Sequence, residues 1–133
     1  MIKNTVLLLL FFSCFYSCSK ELTTKEIVTE GNWYISTYLE GVTNKTNDLE
    51  GYQFVFTKEN ILNISKDKIL FYESWFTNTS FDGTKKFELY LLYPDLKKLN
   101  GTWNIMGISS GTLNLSLPGD STQKVKKLVF EKL

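Results

Sequence analysis

The sequence predicts an all-β domain of consecutive antiparallel strands, and three observations carry that expectation. From Gly31 onward apolar and polar residues alternate with a period of two, the pattern of strands with one buried face. The intervening segments are short and hold Gly, Asn, Asp, Ser and Pro, so no crossover helix fits and neighbouring strands pair antiparallel in chain order. The chain holds 14 Thr and 8 Ile but no Ala, a composition that favours strands over helices.

Residues 18–30 read as a tether and a short helix, with Thr23 and Glu26 in the spacing of a capping box. The first strand, 33–39, places Trp33, Ile35, Thr37 and Leu39 on one face and Tyr34, Ser36 and Tyr38 on the other. Strands follow at 52–56, 61–64, 69–76, 87–93, 103–108, 113–117 and 125–130. Turns are expected at 43–48, 58–60, 65–67, 78–85, 100–101, 109–111 and 118–120. Eight such strands close into an up-and-down barrel without exposed edges, although a two-sheet sandwich satisfies the same pattern.

Composition narrows the function. All 15 basic residues are Lys, set against 14 acids, and there is no His and no Arg. Without imidazole the usual general base and metal ligand are missing, and without guanidinium there is no bidentate clamp for phosphate. A formal charge of +1, with both signs interspersed, offers no basic face to a nucleic acid. Glu73, Glu88 and Asp95 lack the pairing that acid–base hydrolysis needs, and Asp48, Glu50 and Asp120 lack the dense spacing of a calcium loop. The expectation is a non-enzymatic chain with no catalytic residue, metal, cofactor or nucleic-acid partner.

The first residues supply an address. Lys3 precedes an apolar run, 6–12, that continues to Tyr16 and is shorter than the about 20 residues a membrane helix needs, so 1–17 read as a secretory leader. Phe15-Tyr16-Ser17-Cys18 resembles the lipobox of bacterial lipoproteins, because a small residue precedes Cys18 and the chain turns polar at Ser19-Lys20-Glu21. The rival, Phe11-Phe12-Ser13-Cys14, would leave two aromatic residues at the mature N-terminus, and a third reading makes both cysteines filler of a cleaved signal or short anchor. Acylation of Cys18 implies a membrane tether, since several buried acyl chains hold where one is marginal. Residues 18–133 then carry balanced charge and no net attraction to anionic lipid.

Several motifs together resemble a known family. Gly31-Asn32-Trp33 is similar to the G-x-W opening of lipocalins. The run from Gly51 through Tyr52, Gln53, Phe54 and Val55 to Phe56 is similar to the second strand of lipocalin-like lipoproteins of Bacteroidota. So are Leu99-Asn100-Gly101-Thr102-Trp103, the serine turn before Leu113-Asn114-Leu115, and the closing Leu128-Val129-Phe130-Glu131-Lys132. The resemblance implies a lipocalin-like barrel over 31–133 and an outer-membrane lipoprotein, periplasmic or surface-facing. It would be a monomer that binds a small apolar ligand or an envelope partner, or else a filled barrel that docks onto another envelope protein, with inhibition of that protein as one such role. Lipocalins pack an arginine of the last strand across the first Trp; here Lys124, Lys126 or Lys127 would take that place, or the contact is absent.

Trp33 and Trp103 are the residues expected to close the barrel, with Phe54, Phe56 and Phe87 either lining a ligand site or filling the interior beside Leu89, Leu91, Leu113 and Leu115. Tyr34, Tyr38, Tyr72, Tyr90 and Tyr93 are candidates for a mouth or an outer face. Asp120-Ser121-Thr122 resembles the O-glycosylation signal of Bacteroidota periplasmic proteins, which makes Ser121 the candidate acceptor. An interior cavity of about 300 Å³ or more would favour a ligand. A solid core with an exposed aromatic patch would favour docking.

Overall fold

The structure is a computed structural model that describes residues 22–133. The leader, Cys18 and the first tether residues lie outside them. The short helix α1 is Thr24–Val28, started by the expected capping box: the Thr23 hydroxyl accepts from the Glu26 N–H at 3.2 Å, and the Glu26 carboxylate accepts from the Thr23 N–H at 3.3 Å. The strands are β1 (Trp33–Glu40), β2 (Thr43–Asn44), β3 (Gln53–Phe56), β4 (Ile61–Lys66), β5 (Ile69–Thr79), β6 (Lys85–Tyr90), β7 (Gly101–Ile108), β8 (Thr112–Leu117) and β9 (Lys126–Lys132). Two 3-10 turns, η1 (Thr46–Leu49) and η2 (Pro94–Leu99), occupy segments between them.

From β3 to β9 each strand pairs antiparallel with the next, and β1 pairs with both β3 and β9. That second pairing closes eight strands into a barrel and excludes the sandwich, whose sheet edges would stay apart. The tiny β2 is a ninth strand, appended to the end of β1 through Leu39 and Glu40. Antiparallel succession sends alternate connections to opposite ends. One end carries α1, the 57–60 turn, the β5–β6 hairpin tip and the 109–111 turn; the other carries η1, η2 and the 118–125 loop.

Three expectations are corrected. The regular alternation of the first strand breaks at Ser36, where the register slips from Ile35↔Phe130 to Thr37↔Val129. A bulge advances the pleat by one residue, so Tyr38 is buried while Thr37 and Leu39 are only half-buried. The fifth run, 87–93, ends as a strand at Tyr90, because η2 follows with Pro94 at its start and Asn100 holds the exit. The Asn100 amide accepts from the Leu91 N–H at 2.5 Å and donates to the Leu91 carbonyl at 2.8 Å. Leu91 still enters the core, tucked there by η2 with Leu96 and Leu99. Finally, the lysine across Trp33 is Lys132, 5.0 Å from the ring centroid, and not Lys124, Lys126 or Lys127. Register explains it: Lys132 lies opposite Trp33, whereas Lys126 and Lys127 lie opposite Glu40 and Leu39 at the far end.

Candidate functional site

The inward positions of the eight strands fill the barrel with apolar side chains. Phe56 stands at the centre, edge-on to Trp75 at 5.2 Å, Phe87 at 5.4 Å and Phe130 at 5.5 Å, while Phe54 meets Phe130 at 5.2 Å. Edge-to-face packing of this kind adds to the burial of the rings. Among the described residues no polar or charged side chain is fully buried. Trp33, Phe54, Phe56, Phe87 and Trp103 are therefore brought together in one core, with Leu89, Leu91, Leu113 and Leu115 beside them.

At each end a tryptophan holds a short helix against the barrel. At one end the Trp33 indole N–H donates to the Val28 carbonyl of α1 at 2.9 Å; at the other the Trp103 indole donates to the Leu99 carbonyl of η2 at 2.9 Å. The glycine two residues before each Trp has positive φ, 81° at Gly31 and 144° at Gly101. A Cβ at Gly31 would also meet the Lys132 side chain at 3.3 Å. The repeated G-x-W is thus a closing device used twice, once per end. Trp75, in Glu73-Ser74-Trp75, adds a third indole bond to the Thr57 carbonyl at 3.1 Å.

A cleft of about 370 Å³ opens where β1 and β3 diverge after their single rung Trp33↔Phe54, and its lining includes Ile35, Leu49 and Tyr52 of the core beside Tyr34. A second, about 190 Å³, lies across Tyr52 between Lys66, Phe71 and Tyr93 at the far mouth, where Phe71 and Tyr93 rings sit 4.2 Å apart. The outer wall of β4, β5 and β6 carries exposed apolar side chains: Ile61, Leu70, Tyr72, Phe76, Tyr90 and Leu92. The cross-strand row Ile61–Ser74–Tyr90 and the Phe76–Tyr90 ring contact at 5.7 Å make them one patch. Of the five tyrosines singled out from sequence, Tyr72 and Tyr90 are in this patch, Tyr93 is at the mouth, Tyr34 donates to Glu131 at 2.8 Å, and Tyr38 is buried.

The acids have structural work. Glu73 accepts the N–H groups of Leu92 and Tyr93 at 2.9 and 3.1 Å, fixing the turn out of β6, a role its place in the sequence does not announce. Asp120 accepts from the Thr122 N–H at 2.7 Å, the Thr122 hydroxyl at 2.8 Å and the Gln123 N–H at 2.7 Å, and these donors hold its carboxyl low. Ser121 is exposed at the tip of that turn. Glu40 is held below the usual carboxylate range, first by Lys45 at 2.8 Å and then by the Tyr38 hydroxyl at 2.5 Å; Asp48 is lowered by Lys98 at 2.8 Å. Burial, then the bond to Glu40, pushes the Tyr38 hydroxyl far up.

These directions set the pH profile. Carboxylates lowered by folding contribute stability above their unfolded value of about 4 and lose it as pH falls through their folded values. Tyr38, raised by folding, contributes below about 10 and loses that contribution as pH rises further. With no His in between, the urea midpoint is expected to stay flat from about pH 5 to 9 and to fall on either side. An inflection between pH 5 and 8 would refute this.

No protein-family profile and no curated protein matches the chain. Among solved structures, a DUF4847 family protein from Bacteroides vulgatus superposes with a TM-score of 0.54 and 12% identity, covering 84% of this chain and 98% of that one. Bovine odorant-binding protein, solved with undecanal, superposes at 0.39 and 16% identity, covering 85% of this chain and 75% of that one. What the chain shares with the Bacteroides protein, over nearly the whole of that protein's length, is its fold, here a closed antiparallel barrel of eight strands with one strand added.

Proposed function

We propose that the chain is a non-enzymatic binding module of a bacterial outer membrane, tethered by acyl chains on Cys18, that docks onto an envelope protein through the outer wall of β4–β6. The observation that carries this reading is the contrast between a barrel filled by Phe54, Phe56, Phe87 and Phe130 and an aromatic patch left bare outside. Tyr72 and Tyr90 are 69% and 53% exposed, a large loss of buried area unless something covers them. Glu73, Asp48 and Asp120 already serve turns and ion pairs, which supports a module without catalysis.

A photo-crosslinking residue at Tyr72, with Thr122 at the far loop as control, tests the docking in intact cell envelopes. One protein adduct from position 72 and none from 122 is the expected result; equal labelling, or none at 72, would sink it. A second reading is favoured by the cleft of about 370 Å³ between β1 and β3, which has the size of a small-ligand site. Saturable binding of a fluorescent fatty-acid analogue, abolished by Leu49→Lys, would favour that cleft over the wall.

A further inference from the structure

Lys25, Lys85 and Lys86 are distant in sequence, yet the packing of α1 beside the β5–β6 hairpin brings them into one cleft of about 260 Å³. Its remaining lining is Thr, Asn and one Ile, with no carboxylate. The Lys25 ammonium donates to Asn60 at 3.2 Å and that of Lys86 to Asn104, so neither is neutralised by an acid there. Two acids border the cleft: Glu26 of α1, whose carboxylate accepts from the N–H of the lining Thr23 at 3.3 Å, and Asp82 at the hairpin tip, whose carboxyl feels Lys86 weakly and is held low chiefly by Thr84, so three lysines face two acids. The overall charge balance therefore hides a local positive site.

Two apolar side chains stand at the same end. Phe81, at the hairpin tip, is fully exposed, touching nothing that shields it, and Leu22, just before α1, is 56% exposed. Phe81 is two residues beyond Thr79, at most about 7 Å from the cleft wall, and Leu22 is four residues from Cys18, at most about 14 Å. Any lipid on Cys18 would thus hold the α1 end of the barrel close to the bilayer.

We infer that this end makes a second contact with the membrane: Phe81 enters the acyl boundary, and the phosphate of an anionic lipid headgroup sits in the lysine cleft. The inference rests on the acylation of Cys18 proposed above. Aromatic side chains favour the interface, and lysines near an anionic surface are attracted at short range. The barrel would then stand in one orientation, with the 118–125 loop and Ser121 pointing away from the lipid.

The test uses the full chain, made with its leader in a bacterium that acylates lipoproteins and reconstituted in vesicles of phosphatidylethanolamine and phosphatidylglycerol with brominated acyl chains. Phe81→Trp and Thr122→Trp are compared with the parent, whose three tryptophans are buried. With acyl chains found by mass spectrometry, the indole at position 81 is expected to lose emission by roughly twofold or more and the one at 122 to be unaffected. Adding Lys85→Gln and Lys86→Gln should return position 81 towards the value at 122; undiminished quenching would overturn the headgroup site. Acyl chains present with no quenching at 81, or equal quenching at both positions, would overturn the orientation and leave the tether standing. Absence of acyl chains would overturn both.

Discussion

Replacing Trp33 by alanine is expected to cost about 4 kcal/mol, a large part of the 5–15 kcal/mol that holds a domain of this size. Trp33 is fully buried, and it is the residue of β1 that pairs with both β3 and β9: with Phe54 of β3 as their single rung and with Lys132 of β9 as the end of the closing ladder. Its indole also fixes α1 at 2.9 Å, and the Lys132 ammonium lies over its ring. Truncation removes ring burial, the bond to the cap and the anchor of the seam together. Trp33→Phe keeps most of the ring and loses the indole bond, so a smaller cost of about 1–2 kcal/mol is expected. Urea unfolding of the two variants separates these effects. A Trp33→Ala protein as stable as the Trp33→Phe protein would show that the seam does not depend on this side chain.

Phe56→Ala is expected to be nearly as costly, about 3–5 kcal/mol, because three rings lose their shared neighbour. It also probes whether the barrel is filled. A void lined by Trp75, Phe87 and Phe130 would stay dry and take up a small aromatic molecule such as benzene, raising the melting temperature of the variant. The parent, with its centre occupied, should show no such rise. Equal stabilisation of parent and variant by benzene would mean that an apolar site exists without the mutation, and the docking reading would lose its main support.

The strand pattern was legible because period-two alternation depends only on which face is buried, and all eight barrel strands announce themselves that way. What escaped depends on contacts between distant residues. A bulge at Ser36 reverses the phase of Tyr38, yet nothing in Ile35-Ser36-Thr37 marks it; the slip is imposed by pairing with Phe130 and Val129. Lys132 over Trp33 follows from register across the whole barrel, which composition does not hold. Glu73 reads as a surface acid until Leu92 and Tyr93 turn their N–H groups towards it. The G-x-W repeats pointed to closure, but which end each one shuts is a matter of strand direction.

The ladder from Trp33↔Lys132 to Glu40↔Lys126 joins the first strand of the barrel to its last. Every other pairing in the barrel wall links strands near in sequence and can form early, whereas this one spans almost the whole domain and has the largest loop-closure entropy. The barrel therefore has no closed form until β9 has been synthesised and released. Until then the chain stays open, and its final shape is decided by the last strand to arrive.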